Sequence, residues 1–379
     1  MEEKKEDTNK EVEKVEVAPI HTLPEYVSDF TGYDHLFIMC KDIRNESSSG
    51  SGFLNPITPR LKYIMDALSL QGQRFDFVPL NSNHYSHNES TAKSCDVEVD
   101  GKKLANVMVS FKGTNQDLPT VIFTAHHDIA NSRSENCQDN TASVCNLIHL
   151  CAELKEHEKF GELQQNVVVG FTDCEEAGGR GMNMLISQIK AGEYGEVESI
   201  FCLELTANGT EMWVTGLEEG SPVANRLSRL DQTIPRVSTP YNESSNAKRA
   251  GLPAVCIGTL SPSEMAVATG TGGKYGWGGF PKTWGLCHSM TDTFEHSANQ
   301  EEMIAFVNMM LGMIDIEEVE RIVEVETVEE DEDDDMYNET DGGLGLYRKL
   351  FGFNFAPLFS QRKQLQSPKE GEEDNNKKE

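Results

Sequence analysis

Apolar positions along the chain repeat with two different periods. In several short runs they cluster or alternate: Val107, Val109 and Phe111; Val121-Ile122-Phe123; Val167-Val168-Val169 with Phe171; Phe201 to Leu205; and Ala254-Val255. Such runs read as strands, and the continuous ones as strands buried on both faces. Phe75 and Phe77 start this strand-rich region, which extends to residue 112. Elsewhere the spacing is helical. Leu61, Ile64, Met65 and Leu68 predict a helix within Pro56–Leu70, and Val144, Leu147, Ile148, Cys151 and Leu154 form the stripe of a second. Pro222–Leu230 and Asn299–Ile316 read as two more. Residues 23–46, with Tyr26, Phe30, Leu36 and Phe37, predict a helix that starts the fold. Thr210–Thr215 is the expected hairpin partner of the Ile200–Leu205 strand. Asn45–Gly52 and Asn131–Gln138 are polar links, and Gly270–Gly285 is a loop rich in glycine and aromatic residues.

The ends of the apolar runs carry the chemistry. The Val121 run stops at His126-His127-Asp128, and His126 and Asp128 share a face of an extended chain. A carboxylate in that position suits the second nitrogen of a metal-binding imidazole. Asp139 stands at the start of the helix striped by Val144 and Leu147. The Val167 run ends in Asp173-Cys174-Glu175-Glu176, where one carboxylate can serve a metal and its neighbour a proton transfer. Glu204 interrupts the apolar run Phe201–Leu205, which is costly for an unpaired acid. His288 follows the aromatic loop. Taken one at a time, an N-terminal helix acid or a strand-end histidine is an ordinary cap or turn. Carboxylates and imidazoles recurring at successive strand ends are a ligand set of the kind zinc takes.

These motifs, in their order, resemble the co-catalytic zinc exopeptidase family (clan MH). That family includes bacterial leucyl aminopeptidases, aminopeptidase Y, glutamate carboxypeptidase and glutaminyl cyclases. The matching segments are Ala125-His126-His127-Asp128, Asp139-Asn140-Thr141-Ala142-Ser143, Glu175-Glu176-Ala177-Gly178, the lone Glu204, and His288-Ser289-Met290-Thr291-Asp292-Thr293. Together they cover residues 105–315. The resemblance implies a three-layer α/β/α sandwich around a mixed, mostly parallel central sheet. It implies two zinc ions, with Asp139 bridging, His126 and Glu204 completing one, and Glu176 and His288 completing the other. Glu175 is then the general base, Asp128 orients His126, and the aromatic loop with Tyr275 and Trp277 shapes a substrate pocket. The expected activity is removal of N-terminal residues from peptides. Carboxypeptidase, amide deacylase or glutaminyl cyclase activity on the same fold, and a lapsed relative that serves as a binding or assembly protein, are the alternatives. The chain departs from the pattern in four places: Glu204 where aminopeptidases usually carry Asp, Thr141 inserted into Asp-Asn-Ala-Ser, Asn246 for an expected Asp, and a short loop between His126 and Asp139.

Composition narrows the class. With 63 acidic and 33 basic residues the net charge is -30, which argues against nucleic acid as a partner. No apolar run is long enough for a membrane span, and Met1–Val17 has no signal-peptide core. Nine cysteines without a Cys-x-x-Cys read as buried thiols, so the expected setting is cytoplasmic. Residues 1–22 are expected to be a disordered tail, 23–318 the catalytic domain, and 319–379 an acidic tail with an aromatic island at 344–359. That island suits a protein partner or simple packing at the domain edge, and a homo-oligomer is left open.

Overall fold

The computed structural model describes residues 30–43, 59–70, 106–130, 133–176, 178–230, 232–239, 241–270 and 280–317. The expectations for Phe75, Phe77, Tyr275, Trp277, both tails and the 344–359 island lie outside them.

Six strands form one sheet: β1 (Val107–Phe111), β2 (Thr120–His126), β3 (Val167–Thr172), β4 (Val197–Leu203), β5 (Glu211–Thr215) and β6 (Ala254–Leu260). Their order across the sheet is β1-β3-β2-β4-β6-β5. The middle four are parallel, and β1 and β5 run antiparallel at the two edges. β2, β3 and β6 are buried along their whole length, as continuous apolar runs in a covered parallel sheet should be. Phe123 and Phe201 stack across β2 and β4 at 5.2 Å.

Helices cover both faces, so the fold is the α/β/α sandwich. On one face α3 (Ala142–Lys159) lies against β1, β2 and β3. It also meets α1 (Gly32–Ile38), α2 (Pro59–Leu70) and α9 (Gln300–Gly312). On the other, α4 (Arg180–Lys190) and α6 (Ser244–Arg249) pack together. Met182, Leu185 and Ile186 there share a core with Ile122, Val168 and Ile200 of the sheet. Burying each such side chain is worth about 1.5–3 kcal/mol. Three shorter helices, α5 (Pro222–Leu227), α7 (Pro262–Ala268) and α8 (Phe294–Ser297), complete the described set.

Two expectations need correction. The 211–215 strand does not pair with its predecessor: β4 already has β2 and β6 on its two sides, so β5 adds to the free edge of β6. The first helix is also shorter than the apolar content of 23–46 suggests. It starts at Gly32, where the Asp34 carboxylate accepts the Thr31 backbone N–H at 3.1 Å, and passes into a wider turn at Met39–Ile43.

Candidate metal and active site

The site is assembled at the carboxyl ends of the parallel strands, flanking β2, where the chain turns to opposite sides of the sheet. His126 is the last residue of β2, Glu175 and Glu176 follow β3, and Glu204 follows β4 directly. The strand ends at Leu203, so Glu204 is not inside an apolar element but at its mouth. Asp139 sits in a wide turn, Cys137–Thr141, just before α3. His288 stands beyond a short 3₁₀ turn (Thr283–Leu286) with a left-handed φ of 60°.

The Asp139 carboxylate lies between two imidazoles. Its Oδ1 is 3.3 Å from His126 Nε2, which is 3.7 Å from Glu204 Oε2. Its Oδ2 is 3.3 Å from His288 Nε2, which is 3.0 Å from Glu176 Oε2. One carboxylate is thus shared by two histidine–carboxylate pairs. The ligand atoms of His126, Asp139 and Glu176 fall within 4.8 Å of one another.

The chemistry of this donor set asks for cations. His126 Nδ1 faces the Asp128 carboxylate and backbone oxygen, both at 3.3 Å. With that nitrogen carrying one proton, Nε2 faces two carboxylates, an arrangement that calls for positive charge there, either a second ring proton or a bound cation. The Oε1 atom of Glu176 is buried without a hydrogen-bond partner among the described residues. Burial pushes Glu204 up, and Glu176 up to about 7, with the Asp139 charge adding to the latter. Glu175 is pushed up to about 9 by burial, with Glu204, Glu243 and Asp128 adding to it against His126. Burial also disfavours charge on Asp139, but hydrogen bonds from His126 and His288 hold its carboxyl well below the usual range. His126 is raised despite burial by Glu204, Asp128 and Asp139, and His288 is raised to about 9, chiefly by its hydrogen bond to Asp139.

Further residues hold this arrangement. Besides facing His126, Asp128 ties down the neighbouring strand end, since its two oxygens accept the backbone N–H groups of Glu175 at 3.0 Å and Glu176 at 3.1 Å. Asp292 does the same for the Asp139 turn, accepting N–H from Gln138 at 2.8 Å and Asp139 at 3.1 Å. Its only sequence signal was its place four residues after His288. Asn246 is not the contact its segment makes with the centre, because its amide donates to the carbonyls of Gly178 and Gly179. The acid that this segment buries is Glu243, which lies at 1 % exposure and is pushed up to about 7 by burial. Tyr241 was also missed. It lines the cavity, and burial, with the Glu175 charge, pushes its phenol to about 12. Gly179 has a φ of 65°, and a side chain there would collide with Tyr241 and Asn246.

The cavity above the centre has a volume of about 510 Å³. His126, Asp139, Glu175, Glu176, Glu204 and His288 all line it, with no Lys or Arg among the described lining residues. Its remaining wall includes Leu205, Trp213, Tyr241, Cys256, Phe280 and Trp284. Cys174 stays out of the chemistry: burial, then the Asp173 charge, drive its thiol far above the usual range. No helix of the described residues is long and apolar enough to cross a membrane.

A profile of Peptidase family M28 matches residues 106–311, more than half of the chain. No curated protein matches. Among solved structures, the chain is similar to the LapA aminopeptidase of Legionella pneumophila, with a TM-score of 0.52 and 12% identity over 77% of this chain and 73% of that one. It is similar to LapB of the same organism, with a TM-score of 0.52 and 11% identity over 76% of this chain and 72% of that one. It is also similar to a Bacteroides thetaiotaomicron glutaminyl cyclase, with a TM-score of 0.52 and 15% identity over 76% of this chain and 98% of that one. At such identities the likeness is one of fold.

Proposed function

Since the chain belongs to peptidase family M28, we propose that it is a zinc-dependent aminopeptidase that removes the first residue of a peptide. The observation that carries this reading is the carboxylate of Asp139 shared by two histidine–acid pairs in a cavity whose described lining holds four acids and no Lys or Arg. Its acids are taken up by the cations and the base, and the described lining offers no Lys or Arg to pair with the carboxylate at the end of a peptide. That favours aminopeptidase over carboxypeptidase action. The presence of the whole set, Glu175 included, speaks against a lapsed enzyme.

His126 and Glu204 with one oxygen of Asp139 would hold one zinc ion, and His288 and Glu176 with the other oxygen a second. Bound there, zinc supplies Lewis acidity, making water more acidic and the scissile carbonyl more electrophilic. The remaining work belongs to the chain. Glu175 takes the proton of the attacking water and returns it to the departing amine. Burial pushes its carboxyl up to about 9, and the positive charge of a bound cation would favour the carboxylate form that a general base needs. Asp128 fixes the ring of His126 and, through two backbone N–H groups, the segment that presents Glu175 and Glu176. Tyr241 keeps its proton at neutral pH, and we assign it as a hydroxyl donor toward the carbonyl oxygen as negative charge builds there.

The test is release of free amino acid from tripeptides by the purified protein. Release from the amino end, abolished by a chelator, restored by zinc and blocked by N-acetylation of the peptide, is expected. Release from the carboxyl end, or pyroglutamate formed from an N-terminal glutamine with no bond cleaved, would overturn the proposal.

A further inference from the structure

The cavity has an aromatic side as well as an acidic one, and its geometry speaks to what the first residue of the substrate is. Trp213 lies on β5 and is buried to 1 % exposure. It is held down from below: the indole packs directly on Gly258 of β6, where a Cβ would overlap both the Trp213 ring and the Glu204 backbone carbonyl. Trp284 meets Trp213 edge to face, with centroids 5.9 Å apart and planes at 72°. Phe280 meets Trp284 in the same manner at 5.8 Å and 82°. Both tryptophans and Phe280 line the cavity beside Glu204 and His288, and Phe280, at 63 % exposure, stands at the mouth.

We propose that this set of rings selects a peptide whose first residue is aromatic, with Trp284 the specificity-determining side chain. The inference rests on the aminopeptidase reading for the position of the substrate's amine. Three rings in successive edge-to-face contact offer a fourth ring the same geometry at the same spacing. A branched aliphatic side chain presents neither a face nor a positive edge. In a cavity of about 510 Å³ it also leaves wall atoms without partners. The fixed element is Trp213, pinned by the sheet. The adjustable elements are Trp284, which touches both other rings, and Phe280 at the entrance.

Two measurements on the zinc-loaded protein test this. The first compares kcat/KM for Phe-Ala-Ala and Leu-Ala-Ala. A preference of roughly tenfold for phenylalanine is expected from the aromatic contacts. Trp284→Leu should bring the ratio close to one. Phe280→Leu, at an exposed position that does not endanger folding, should lower it in part. The second is binding of L-phenylalaninol and L-leucinol, which have no bond to cleave, followed by tryptophan emission. The chain has three tryptophans, and the two that lie among the described residues, Trp213 and Trp284, both line the cavity. Tighter binding of phenylalaninol, again by roughly tenfold, is expected. Equal cleavage and equal binding of the two side chains overturn the aromatic selection and leave the aminopeptidase reading intact. No cleavage of either peptide, with phenylalaninol still bound more tightly, overturns the aminopeptidase reading and keeps the pocket.

Discussion

The two halves of the candidate centre share Asp139 but are built differently. The His126 half stands on the sheet: its imidazole ends β2, is 1 % exposed, and is braced by Asp128. The His288 half hangs on a loop, and its imidazole is 60 % exposed. What fixes the second half is indirect. Asp292 reaches back to the Asp139 turn, and Ser134 donates to the Asp292 backbone oxygen at 3.0 Å. One side of the pair is thus rigid by burial, and the other by hydrogen bonds to the turn it serves. Equal ligand types do not make equal sites.

The largest effect should come from a residue that belongs to neither half. Glu175→Gln is expected to lower kcat by about 10²–10⁴-fold, the usual contribution of a general base, while metal analysis still finds zinc. Loss of zinc in this variant would move Glu175 from base to ligand.

Removing one imidazole from each half separates them directly. His126→Ala should empty the buried position and weaken the neighbouring one through Asp139, whereas His288→Ala should retain zinc on the His126 side. Stepwise chelation of the wild type should likewise release the ion next to His288 first. Simultaneous release, or the reverse order, would contradict the inequality of the halves.

Asp292→Ala sharpens the comparison from the other end. It leaves two buried backbone N–H groups at the Asp139 turn without their acceptor, at about 1–3 kcal/mol each. Supporting residues of this kind typically cost 10–100-fold in metal affinity or activity, and the loss should fall more on the His288 side. Titration calorimetry with zinc reads it.

The smallest effect concerns the protein stripped of metal. The folded-state values of Glu175, Glu176 and Glu243 are raised above the ordinary 4.5, to about 9, 7 and 7, and His288 is raised to about 9. Groups raised on folding stabilise the fold at low pH and lose that contribution as pH climbs through their folded values. Asp128 and Asp139 are shifted the opposite way, but their contribution is already complete above the ordinary 3.8. The melting temperature of chelated protein should therefore fall between about pH 5 and 9, and zinc should remove most of that slope. A slope unchanged by zinc would place its origin outside the centre.

Much of this architecture was legible because burial writes a simple code. The apolar runs of β2, β3 and β4 read as covered strands, and the acids and histidine at their ends were expensive or useful. The stripe of α3 announced its buried face, and Val144, Leu147, Ile148, Cys151 and Leu154 are all fully buried. Less legible was anything decided by partners far along the chain. The neighbour of β5 depends on which sheet edge is free. The backbone contacts of Asp128 and Asp292 depend on loops 47 and 153 residues away in sequence. Glu243 sits at the start of a short helix and carries no local pattern that would mark it as buried.

The tie between Asp292 and the Asp139 turn has a consequence for biosynthesis. A nascent chain that has emerged only as far as residue 280 lacks more than the His288 imidazole. The shared carboxylate itself is then missing the two acceptor contacts that hold its backbone. Such a chain would have the strands, His126 and Glu175, yet no fixed Asp139 carboxylate between the two imidazole positions. On the proposed function, activity would then arrive late and all at once, after the ribosome has delivered the segment around residue 292.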